Sequence, residues 1–182
     1  PFILFFVFPL MGNVFNECGN EIQPGSEDDL RYHHSVKEWR ESDFSPVTRE
    51  YYWAPVTWHV VRETSGQGGV PLERLDQGIL DLNIAYDPRG IRFYQMGDVD
   101  TIDNSEYYFD IDSYDEITDL RLVNPVEGTI NVYLVANLST GDNTLCGIST
   151  FSWYESQGIV MANDCFSTWD NNSTLSHEVG HY

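Results

Sequence analysis

Positive charge is scarce in this chain. Only 9 lysines and arginines stand against 29 aspartates and glutamates in 182 residues, a formal charge of −20. Such a surface repels phosphate backbones and anionic lipid, so nucleic acid and membrane surfaces are excluded as partners. Cysteine is scarce too, with 3 in all, which excludes a dense disulfide scaffold. No apolar run approaches the roughly 20 residues of a membrane-spanning helix. The glycine-rich stretch Gly66-Gln67-Gly68-Gly69 fits neither a phosphate-binding loop nor a dinucleotide fingerprint, and reads as a turn. Apolar residues are not lacking: 41% hydrophobic and 14% aromatic content suffices for a packed core.

The longest apolar run, Phe2 to Met11, suits the central part of a signal peptide, with a buried strand as the alternative. Residues 1–17 are therefore expected to be a signal-like segment and the protein to be secreted, extracellular or periplasmic. Residues 18–48 are polar, with no convincing apolar stripe, and read as a pro-segment or linker. In that stretch His33 and His34 are adjacent and cannot share a helix face, so they are expected at the surface. In an exported protein Cys146 and Cys165 can pair, leaving Cys18 odd.

From residue 49 onward the patterns are those of a folded domain. Tyr51 to Arg62 is rich in aromatic and β-branched residues and predicts a strand, with His59 as a core or cross-strand histidine. Pro71 then opens a helix in which Leu72, Leu75, Ile79, Leu82 and Tyr86 recur at helical spacing, ended by Asp87-Pro88-Arg89-Gly90. Ile91 to Met96 is a second strand, and strand, helix, strand predicts a parallel pair. The acidic stretch Asp98 to Asp119 reads as a solvated loop. Asp110 and Asp112 begin like a calcium loop, but the further oxygen ligand and glycine are missing. Thr129 to Leu138, Cys146 to Trp153 and Gly158 to Ala162 are three more strands.

The chemistry concentrates at His177-Glu178-Val179-Gly180-His181, an H-E-x-x-H motif. On a helix, residues four apart lie on one face, so both imidazoles can reach one zinc ion while the glutamate turns toward its open position. The competing explanation is a solvated helix end with two unrelated histidines. Asn171 to Thr174 supply helix-capping residue types, and Leu175, Val179 and Tyr182 make an apolar stripe beside the histidines. Gly180 lowers helix propensity, so its place calls for close approach of another element.

The string Thr174-Leu175-Ser176-His177-Glu178-Val179-Gly180-His181-Tyr182 resembles the active-site helix of metzincin zinc proteases, and within them the pappalysin family. The resemblance runs from about Tyr51 to Tyr182. It implies an α+β fold of zincin type, a twisted mixed sheet with two long helices, residues 49–182 forming the upper part of a catalytic domain. It further implies zinc as cofactor on His177 and His181, Glu178 as general base, and a peptide or protein substrate. The strand Gly158, Ile159, Val160, Met161 and Ala162 is implied to be the sheet edge that pairs with substrate. Cys18, in Glu17-Cys18-Gly19-Asn20, resembles an inhibitory thiolate of the pro-region, although Glu17 stands where an arginine is frequent; a lipid-modified or free cysteine is the alternative. The metzincin signature continues to a further glycine, a third histidine and a Met-turn. This chain stops at Tyr182, so as written it is expected to lack the third zinc ligand and to be inactive. Two alternatives stay open: a thermolysin-like zincin, whose third ligand is a glutamate, and a secreted acidic binding module that holds no metal. Oligomeric state, cleavage preference and source are not legible.

Overall fold

The computed structural model describes residues 26, 27, 30, 31, 34, 51–109, 111–167 and 173–182. The signal-like segment, Cys18, His33 and Asp110 lie outside the described residues, as does most of the stretch 18–48. His34, described within that stretch, is exposed.

The fold is mixed α/β around one mixed sheet. Strand β1 (Tyr52–Arg62) leads into helix α1 (Leu72–Tyr86), which returns to β2 (Ile91–Gln95) and β3 (Asp100–Asp103). Two short helices follow, α2 (Ser105–Phe109) and α3 (Tyr114–Arg121). The chain then enters β4 (Ile130–Val135), the small ribbon β5 (Ser139–Thr140) and β6 (Asn143–Thr144), β7 (Gly147–Ser149), β8 (Ile159–Ala162) and finally α4 (Thr174–His181). The main sheet runs β2-β1-β4-β8-β7, with β3 continuing beside β1 beyond the end of β2. All of its pairs are parallel except β7 with β8. The expected parallel pair is thus present, with Tyr52 opposite Ile91 and Ala54 opposite Phe93.

Local chemistry explains the joints. Pro71 occupies the position before α1 with φ of −61°, the value its ring imposes, and Gly90 adopts a φ of 72° to end the turn after it. Asn83 of α1 clips the free edge of β2: its amide donates to the Phe93 carbonyl (3.0 Å) and accepts the Phe93 N–H (2.8 Å). Those edge groups are thereby withheld from intermolecular pairing.

The two faces of the sheet carry separate cores. On one, Val56, Trp58 and Val60 of β1 meet Leu75 and Leu82 of α1, Val132, Leu134, Ile159 and Met161 of the sheet, and Phe166 and Leu175 near α4. On the other, Val61, Tyr133, Val135, Ile148 and Val160 meet Ile102, Ile111, Ile117 and Leu120. Burying each such aliphatic side chain is worth roughly 1.5–3 kcal/mol. Val56 to Val61 is buried without interruption, as a strand covered on both faces requires.

The acidic stretch is not a loop. It contains β3, α2 and α3, because Ile102, Ile111, Ile117 and Leu120 face inward while Asp98, Asp103, Glu106, Asp112, Asp115 and Asp119 face solvent. Ser113 caps α3 by accepting the Glu116 N–H, and the Glu116 carboxylate accepts the Ser113 hydroxyl (2.9 Å) and the Asp112 N–H (3.0 Å). These bonds hold the Glu116 carboxyl below its usual range.

Candidate metal-binding helix

Contacts from several elements aim α4. The segment that leads toward it is fixed by Cys165, bridged to Cys146 with Cα atoms 5.3 Å apart. It is fixed again by Arg74 of α1, whose guanidinium donates to the carbonyls of Asn163 (2.6 Å) and Phe166. Phe166 itself is fully buried edge-on to Trp58 with centroids 5.4 Å apart. It nests against Gly78, where a Cβ would come within 2.8 Å of the ring. Further on, the Tyr86 hydroxyl of α1 donates to the Ser176 carbonyl (2.9 Å) and lies 3.3 Å from where a Gly180 Cβ would be, the close approach that explains the glycine. Tyr182 ends the described chain with its hydroxyl on the carbonyl of Thr129 (3.3 Å) and on the Gln157 side chain, and burial pushes its pKa up to about 12.

Ser173 stands at the N-cap, but its side chain makes no capping bond. The Ser176 hydroxyl and the His177 N–H both reach its carbonyl at 2.9 Å. Asn171 and Asn172 lie outside the described residues.

On this helix the Nε2 atoms of His177 and His181 stand 3.1 Å apart, with ring planes at 82°. Two nitrogens roughly 2.0–2.1 Å from one tetrahedral zinc would lie about 3.3–3.4 Å from each other, so the pair fits a shared ion. It also fits a hydrogen bond between two neutral rings. Burial, and secondarily the neighbouring His177, lower the His181 pKa, which favours the neutral form that a metal needs. Among the described residues no group of three or more histidine, cysteine or acidic side chains is gathered. The helix thus brings two imidazole nitrogens together, where a catalytic zinc site has three protein ligands.

Glu178 is fully buried. No group meets either carboxylate oxygen with hydrogen-bond geometry. Burial pushes its pKa up to about 7, with a smaller opposing effect from the nearby Ser149 hydroxyl. The neighbours are Gly147 and Ser149 of β7, which local sequence reasoning did not single out. Tyr86 belongs to the apolar stripe of its helix, and its spacing there does not reveal the bond to Ser176. None of these contacts has a local signal, since each joins residues far apart in the chain.

Gly158 to Ala162 is not at the edge. Strand β8 is hydrogen-bonded to β4 on one side and β7 on the other, all four residues are buried, and Gly158 is bound to Thr150 through both N–H and C=O. Among the described residues the sheet ends at β7 instead. The reason is the turn after β7, which folds the chain back antiparallel and covers what would have been a free edge. The unbroken apolar run Ile-Val-Met-Ala is itself the pattern of an interior strand.

No protein-family model matches the sequence, and no curated protein matches it. Among solved structures, metalloproteinase-II from Bacteroides fragilis is similar, with a TM-score of 0.40 and 14% identity. The likeness covers 75% of this chain and 43% of that one, and is too slight to carry function.

Proposed function

We propose that the chain carries the zinc-binding helix of a metalloendopeptidase. The observation that carries this reading is one juxtaposition: two imidazole Nε2 atoms converging at 3.1 Å, with the intervening glutamate fully buried beside the Ser149 hydroxyl. A buried carboxylate with little more than one hydroxyl beside it costs stability, and such arrangements concentrate where chemistry is done.

His177 and His181 would hold the metal through Nε2, and a third ligand would come from elsewhere in the protein. When bound, zinc supplies Lewis acidity toward the scissile carbonyl and toward a water molecule. Glu178 takes the proton of the attacking water on a carboxylate oxygen and returns it to the leaving amine nitrogen. Its burial keeps bulk water from competing for that proton. The sequence resemblance extends the proposal to a pappalysin-type metzincin with peptide or protein substrates. The Cys146–Cys165 bridge supports an exported protein, since such bonds persist in oxidising surroundings.

Zinc titration by calorimetry on the full-length protein is the test. One ion per molecule, lost in His181→Ala and kept in Glu178→Gln, is the expected result. Absence of zinc binding in the wild type would favour the alternative, in which the histidines only hydrogen-bond to each other.

A further inference from the structure

Gly147 opens β7 with an ordinary strand backbone and no positive φ, so nothing in its own conformation calls for glycine. What calls for it is Glu178. A Cβ at position 147 would lie 2.8 Å from Glu178 Cγ, 3.1 Å from Cδ and 3.1 Å from Oε1. These are far inside the carbon–carbon contact distance of about 3.5–4.0 Å. The contact reaches Cγ, near the root of the side chain, so a small swing of the carboxylate tip does not relieve it. Either Glu178 changes rotamer or β7 withdraws. Withdrawal is opposed by the disulfide at the adjacent Cys146 and by the pairing of Gly147 with Met161. Ser149, two residues on and hence on the same face of the strand, presents its hydroxyl to the same carboxylate. The face of β7 turned to the helix thus offers open space, then one polar group.

We propose that Gly147 is a positioning residue for the peptidase reaction: by lacking a side chain it sets where the Glu178 carboxylate lies relative to the two histidines. This rests on the zinc-peptidase reading above. Gly147→Ala then redirects Glu178 while leaving His177 and His181 in place. A displacement of about 1 Å in a catalytic group costs on the order of 10²-fold in rate.

The test joins kinetics to a stability cycle in the full-length protein. Gly147→Ala should lower kcat by roughly 10- to 100-fold with KM and bound zinc unchanged. Gly78→Ala makes an equally close contact, 2.8 Å to Phe166, away from Glu178; it should lower Tm equally in the wild type and in the Glu178→Ala background. Independently of activity, Gly147→Ala should lower Tm in the wild type and not in a Glu178→Ala background, where the obstructing side chain is gone. An equal loss of Tm in both backgrounds, or failure of the double variant to fold, overturns the assignment, as does Gly147→Ala with wild-type kcat. A wild-type protein without peptidase activity removes the functional reading, whereas the stability cycle still decides whether residue 147 dictates the position of Glu178.

Discussion

Two fully buried ionisable side chains lie on opposite faces of the same sheet, and they are treated in opposite ways. His59 of β1 is surrounded by partners. Its Nδ1 meets Asp100 Oδ2 and its Nε2 meets Asn131 Oδ1, both at 2.9 Å, and its ring stacks on Tyr133 at 4.2 Å. Asn131 is oriented in turn by the backbone: Oδ1 accepts the Val126 N–H (2.8 Å) and Nδ2 donates to the Val126 carbonyl (3.0 Å). The Tyr133 hydroxyl donates to the carbonyls of Arg121 (3.0 Å) and Val123 (2.9 Å). Both ring nitrogens of that histidine meet a polar partner, and together these contacts lock β1, β3 and β4. Glu178 is equally buried, and its carboxylate has only the Ser149 hydroxyl beside it, outside good hydrogen-bond geometry. A fold can retain a polar group of the first kind for structure alone. The second kind lowers stability, and the general-base role proposed above would be a reason to keep it.

The largest effect that would break this contrast concerns Glu178→Gln. The amide is nearly isosteric, so folding and bound zinc should be retained while peptide turnover falls by about 10²–10⁴-fold. Turnover near the wild-type rate would make Glu178 a structural residue after all. Next comes His59→Ala, which takes one partner each from Asp100 and Asn131 and opens a cavity beside Tyr133; it should cost roughly 2–5 kcal/mol by urea denaturation. A loss under about 1 kcal/mol would mean that the network holds nothing together. On the Glu178 side, replacing Cys146 and Cys165 together by serine opens a loop with a sequence separation of 19 and should cost about 3 kcal/mol. Its unfolding midpoint, measured beside that of the wild type with and without reductant, checks this. Smallest is Tyr133→Phe, which deletes one hydroxyl from the satisfied network. It should cost about 1 kcal/mol and leave turnover unchanged; a changed turnover would couple the two faces.

Much of this architecture was legible from pattern. The long strand, helix α1 and the parallel return to β2 all follow from apolar spacing and from Pro71 and Gly90, because these elements bury one continuous stripe and are ended by residues with fixed backbone preferences. The H-E-x-x-H helix was legible for the same reason: two histidines four apart need only a helix to share a face. The acidic stretch was misread because its inward positions are few and isolated among carboxylates. Yet Ser113-Tyr114-Asp115-Glu116 is a capping-box sequence, and it marks the start of α3. The place of β8 inside the sheet was also written in its uninterrupted apolar residues. What no local pattern carried was the pairing of Gly147 with Glu178, or of Gly78 with Phe166. Each glycine is shaped by a side chain from a distant part of the chain, and only the folded packing brings the two together.

Strand β1 also has a consequence for how the molecule forms. It borders β2 and β3 on one side and β4 on the other, and Val56 finds Ile130 only after most of the domain has been made. Helix α1 can appear within about a microsecond, but parallel pairing across so long a loop belongs to the millisecond-to-second class. During that interval Val56 to Val61 is an apolar strand with an open side, a template for pairing with another copy of itself. The formal charge of −20 acts at that stage, keeping half-formed chains apart until β4 arrives. The same acidity thus protects the protein while it is being finished. Raising the salt concentration during refolding should increase aggregation more than it alters the stability of the native state.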